Sequence, residues 1–223
     1  MIGGAIAALA VVVALLTVLL IARVDRRAAA IAAVVILVIM VGEHLLASRG
    51  ILREWMRRPP PMMLGVAVPV LLALVTAASS LGHRIATTAS FAAIIGIQAF
   101  RFPLELVMHQ AAISGLMPPQ MSYSGRNFDI ITGILAIPVA WIAARSTRSR
   151  LLIMMWNAIG TLLLINIVTI AVASMPMFAA FGPARLNTWI ADSPYVFLPA
   201  ILVPAAVFGH ALIWRKLLGA GGG

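Results

Sequence analysis

Gln98, Arg101, Glu105 and His109 recur at spacings of three or four residues inside a stretch that is otherwise apolar. At 100° per residue they fall within about 80° of arc and about 17 Å of helix length, so they make one polar stripe. A carboxyl group and an imidazole one turn apart can exchange a proton or bind a polar solute. An arginine at the bilayer centre costs roughly 2.5–3.5 kcal/mol even on the lenient insertion scale. Such a stripe must therefore face a protein interior or a wet cavity.

Arg101 and Glu105 are four apart, which permits an ion pair within one helix and, as the competing reading, a purely structural role for both. Pro103 removes one backbone hydrogen bond and should kink the helix, leaving the carbonyl of residue 99 in need of a donor.

Two other segments add candidates. "VGEHLLAS" holds Glu43 and His44, and "GRNFDIITG" holds Asn127 and Asp129 in the first turn of a helix. Asn127 can cap that helix and Asp129 suits its positive end. Arg126 has Asp129 and Glu43 as possible partners. Alternating helix directions bring all these groups to one leaflet, and a flip of the whole protein moves them together. The candidate ligand- or proton-binding set is Glu43, His44, Gln98, Arg101, Glu105, His109, Asn127 and Asp129.

On the opposite side lie His83, Asn157 and His210. His83 reads as interfacial, Asn157 and Thr161 as interhelical hydrogen-bonding groups, and His210 as a side chain that snorkels or bonds a nearby carbonyl. Phe178, Phe181 and Trp189 lie in a loop that could cover the mouth of the site or form an interfacial belt.

The elements that must position these groups follow from composition. The chain has 223 residues, 63% hydrophobic and 10% charged, with a mean hydropathy of +1.09. A soluble domain is nearer 25% charged, so an all-α integral membrane protein is expected. The charge of +10 sits mostly in short segments between apolar runs, which is a topology signal and argues against nucleic-acid binding. There is no cysteine, which excludes disulfides, thiolate metal sites and cysteine nucleophiles.

Apolar runs of about 20 residues that are continuous rather than alternating predict transmembrane helices. Seven are expected, with six to eight compatible: about 2 to 22, 28 to 48, 62 to 82, 88 to 116, 127 to 145, 151 to 174 and 194 to 214. The fourth is the long one, kinked at Pro103. Residues 1–218 form one membrane domain, followed by a flexible Gly-rich tail, 219–223.

No basic residue precedes the first run, whereas Arg23, Arg26 and Arg27 follow it, the reverse of a cleaved signal peptide. With the N-terminus outside, nine basic residues (Arg23, Arg26, Arg27, Arg84, Arg145, Arg148, Arg150, Arg215 and Lys216) are cytoplasmic and six are external. The positive-inside rule then favours N-out and C-in, as in a bacterial inner membrane. The loop 49–61 reads as an amphipathic interfacial segment, with Ile51, Leu52, Trp55 and Met56 opposite Arg53, Glu54, Arg57 and Arg58, ended by three prolines.

Three functions fit these residues. Transport, proton relay or binding of a small polar solute uses the stripe directly. A metal-dependent membrane enzyme of the lipid hydrolase type would take His44 and His109 with Glu43, Glu105 or Asp129 as ligands, His44, His109 and Glu105 leading, although no H-E-x-x-H occurs. Haem binding would use His44 and His109 as axial ligands. The expected partners are the lipid bilayer and a small solute or proton.

Overall fold

A computed structural model describes residues 1–146 and 149–219, so Arg148 and the glycines after Gly219 lie outside the described residues. Nine α-helices and no strand occur among the described residues: α1 (Ile2–Ala22), α2 (Arg26–Ser48), α3 (Pro61–Ala78), α4 (Ser80–Thr88), α5 (Phe91–Ile97), α6 (Arg101–Ile113), α7 (Ile130–Arg145), α8 (Arg150–Ala173) and α9 (Val203–Gly219). Six helical segments are long and apolar enough to cross a membrane, namely α1, α2, α3, the run Phe91–Ile113, α8 and the run Leu198–Gly219. The expected helix over 127 to 145 exists as α7, but with only 16 residues it is shorter than a full crossing.

The chain runs up and down between two ends. One end carries the loops 49–60, 114–129 and 174–197. The other carries the α1–α2 turn, α4, the start of α5 and the end of α9. Leu15, Val38, Leu71, Ile137 and Leu162 are exposed, part of a broad apolar surface compatible with contact to a lipid bilayer.

Several boundaries depart from the sequence expectation. The run expected over 62 to 82 stops at Ala78, because Ser79 breaks it and its hydroxyl accepts the Gly82 N–H to start α4. His83 and Arg84 are thereby exposed on a short helix of their own. The interfacial segment forms only one 3₁₀ turn, Ile51–Arg53; Leu52 is buried beneath it, and Met56 points outward at 77% exposure.

Proline has the predicted local effect on the fourth span. Pro103 cannot donate to residue 99, and a 3₁₀ turn over Gln98–Phe100 separates α5 from α6 at that position. A π turn, Leu198–Leu202, similarly precedes α9 and contains Pro199.

Gly133 fixes where α7 begins. A Cβ at Gly133 would collide with the backbone of Arg101 and Phe102, so the first turn of α7 touches α6 at the depth of Arg101. From there α7 runs back along the Gln98–Phe100 turn and the seven residues of α5. The rest of that column is filled by the irregular chain between α6 and α7, in which Met117, Gln120, Met121, Ser122 and Asn127 are all buried. Non-helical backbone at membrane depth is tolerated only where protein surrounds it or it lines a cavity.

Candidate functional site

Arg101 is 1% exposed and is the largest of the fully buried side chains. Its partner is Asp129, not Glu105. The guanidinium donates from Nε to Asp129 Oδ2 at 2.6 Å and from a terminal nitrogen to Oδ1, a two-pronged ion pair between α6 and the residue preceding α7. The start of α7 lies at the depth of Arg101, so Asp129 reaches the guanidinium across the helix interface. The expected i,i+4 pair is replaced by a pair 28 residues apart.

The third prong reaches a residue expected on the opposite side. An Arg101 terminal nitrogen lies 2.6 Å from His210 Nε2, and His210 Nδ1 lies 2.7 Å from Asn157 Oδ1. Arginine has only donors, so Nε2 must accept and the proton sits on Nδ1, donating to Asn157. Asn157 also donates to the His210 carbonyl at 3.3 Å, which ties α8 to α9. His210 is central because its helix extends to Gly219 instead of ending near residue 214.

Small residues allow the helices to close around this network. Gly209 leaves space filled by the Gln98 amide, and a Cβ at Gly160 would meet His210 Cε1 at 2.6 Å and Thr132 Cγ2 at 2.7 Å. Gln98 is buried, and both its amide nitrogen and its oxygen lack a partner among the described residues.

Glu105 sits one turn from Arg101 with a different partner. Asn127 Nδ2 donates to both carboxyl oxygens at 2.8 Å and to the Met121 carbonyl at 3.0 Å. Asn127 Oδ1 accepts the Asp129 N–H at 3.0 Å, ahead of the helix; the N-cap of α7 is Asp129, without a side-chain cap bond, so the residue expected to cap α7 holds Glu105 instead. Among the described residues no cation pairs with Glu105. Arg101, Glu105 and Asp129 together line a cavity of about 60 Å³ whose other walls are mostly apolar, from α6, α8 and the π turn. That is room for about four waters or a very small molecule. Asn187 and Ile190 close the cavity from the 174–197 loop, and Trp189 beside them is buried.

His109 lies one further turn toward the loop end. Its Nδ1 is 2.8 Å from Ser122 Oγ and its ring stacks on Tyr123 with centroids 4.2 Å apart. It is half-buried and lies outside the lining of the Glu105 cavity. Arg126 pairs with neither expected carboxylate; its guanidinium lies over Phe181, 5.2 Å from the ring centroid.

The structure separates the two remaining candidates from this cluster. Glu43 projects against Gly65 of α3, where a Cβ would come within 2.8 Å of its carboxyl oxygen, and its Oε2 has no partner. His44 is exposed and bonds Ser193 Oγ at 2.6 Å. His44, His109 and Glu105 thus engage different partners, and no group of three His, Asp or Glu side chains converges as a metal-ligand set among the described residues. Gln98, Arg101, Glu105, Asn127 and Asp129 are brought together. His210 and Asn157 join them without having been placed there by the sequence reading.

The fold and this network define a helical protein suited to a membrane, with a charged cluster enclosed by four of its helices. Over residues 59–218 the chain matches the model of a domain of unknown function, DUF8737, and it belongs to that family. The matched region contains the whole Arg101 network and leaves α1 and α2, with Glu43 and His44, outside it. No curated protein and no solved structure matches the chain.

Proposed function

We propose that this protein binds and relays protons, or a comparably small cation, across part of a membrane, with Glu105 as the exchanging group. The observation that carries the reading is the contrast between two neighbouring carboxyls on one cavity. Asp129 is neutralised by Arg101, whereas Glu105 is held only by a neutral amide and can gain or lose a proton without breaking an ion pair. His109, one turn away and half-buried, is the group through which a proton leaves the cavity toward the loops.

The proposed topology has seven crossings, the fifth made by α7 together with the buried chain that precedes it. Arg23, Arg26, Arg27, Arg84, Arg145, Arg150, Arg215 and Lys216 gather at one end of the bundle. By the positive-inside rule that end is cytoplasmic and the N-terminus is external, in a membrane such as the bacterial inner membrane.

Proteoliposomes carrying a pH-sensitive dye and a potassium diffusion potential test the reading. Wild-type protein should acidify or alkalinise the lumen according to the sign of the potential. Glu105→Gln should lower the initial rate at least tenfold and His109→Ala severalfold. Rates unchanged in both variants would remove the proposal.

A further inference from the structure

A second, larger cavity of about 350 Å³ lies outside the polar network, between the α1–α2 hairpin and α3, with the start of the α9 span as its floor. Its walls are mostly apolar, with Ala32, Ile36, Pro69, Ala73, Ile201 and Phe208 among them and Thr17 and Thr76 the exceptions. Alanines at facing positions hollow it out, and α2 and α3 do not pack on one another along it. The two helices meet one turn beyond it, where the Glu43 carboxyl fits against Gly65.

The groove has the length and the ends of a particular ligand. Along α2 it runs from Ala28 to Ile39, a rise of about 16 Å. That is about half of a hydrocarbon core roughly 30 Å thick, the depth of one leaflet. Beyond its end near the α1–α2 turn, outside the lining itself, lie Arg26 and Arg27, both exposed, with Arg23 exposed on the same turn. Arg84 of α4 reaches across to Asp25 at 2.6 Å, so a fourth arginine flanks this end. Four arginines against one aspartate leave a strongly cationic rim on an apolar slot.

We infer that this groove is a binding site for one anionic phospholipid, its acyl chain lying between α2 and α3 and its phosphate among Arg23, Arg26, Arg27 and Arg84. The charge complementarity selects an anionic headgroup over a zwitterionic one, and the one-leaflet length selects an acyl chain over a spanning helix.

Native mass spectrometry of the full chain, with phosphatidylglycerol and phosphatidylcholine added in equal amounts, tests this. The expected spectrum shows one phosphatidylglycerol retained at least tenfold over phosphatidylcholine. Arg26→Gln and Arg27→Gln are surface changes that should preserve the fold, and each should reduce that preference about fivefold. Ala32→Trp fills the slot and should abolish retention of both lipids. Equal retention of the two lipids overturns the inference, as does retention unaffected by the arginine variants. A doubled mass with no bound lipid also overturns it, since a second copy would then cover the groove. Should Ala32→Trp fail to fold, the two arginine variants still decide the matter.

Discussion

Helix α2 has 11% of its most apolar stretch buried inside the protein, whereas the Leu198–Gly219 span has 67%. The buried span is the less hydrophobic of the two, with a mean hydropathy of 1.5 against 2.4. It carries His210 in its middle and two prolines near its start; α2 keeps its central turns aliphatic and puts Glu43 near its end. In a soluble protein the ranking would be reversed. In lipid, hydrophobic side chains have no reason to prefer protein over acyl chains, so polarity marks the face that must be enclosed.

The sharpest way to break this contrast is to leave a charge alone in the enclosed region. Asp129→Ala removes the partner of Arg101 and should destabilise the protein by about 3–5 kcal/mol. Thermal unfolding in mild detergent should show a large fall in the midpoint. The double replacement Arg101→Met with Asp129→Leu should recover most of it, because an apolar pair has no uncompensated charge. A double variant as unstable as the single one would mean that the network does more than satisfy itself.

A smaller perturbation compares one substitution in the two environments. Gly133→Ala drives a methyl group into the α6 backbone and should cost about 1–3 kcal/mol. Gly42→Ala in α2 meets nothing within 4 Å and, lying inside a helix, should stabilise by about 0.5–1 kcal/mol. Equal effects in the same unfolding assay would show that α6 and α7 separate more easily than their contact implies.

The smallest effect belongs to the exposed ion pair at the α1–α2 turn. The Ala28 N–H, followed by Arg84, holds the Asp25 carboxyl below its ordinary value of 3.8. A depressed carboxyl stabilises the fold above that value, and the contribution is lost as the pH falls through the lower folded one. Asp25→Asn keeps a capping oxygen but loses the charge. The wild type should therefore lose slightly more stability than the variant on acidification below about pH 4.

Much of the polar cluster was legible in the sequence because polar residues stand out against an apolar background. Gln98, Arg101, Glu105, Asn127 and Asp129 stand out in this way, and the fold gathers them around the ends of α6 and α7. The pairing was not legible: helical spacing proposes Glu105 for Arg101, but Asp129 approaches across the helix interface at Gly133. His210 was assigned to the far side because Arg215 and Lys216 looked like a helix terminus. Their long side chains instead reach back to carbonyls, Arg215 to Ala77 and Lys216 to Ala86, each at 2.7 Å, and the helix continues past them. Glu43 and His44 were grouped with the cluster by depth alone, and depth does not determine which neighbour a side chain faces.

The π turn before α9 links the two cavities. Leu198, Pro199 and Leu202 face the polar cavity, while Ala200 and Ile201 face the apolar groove. Five residues thus serve as a party wall. A π turn holds one residue more than an α turn of the same span, so rewinding it rotates the chain on one side by about 100°. Such a rotation would exchange the side chains presented to both chambers at once.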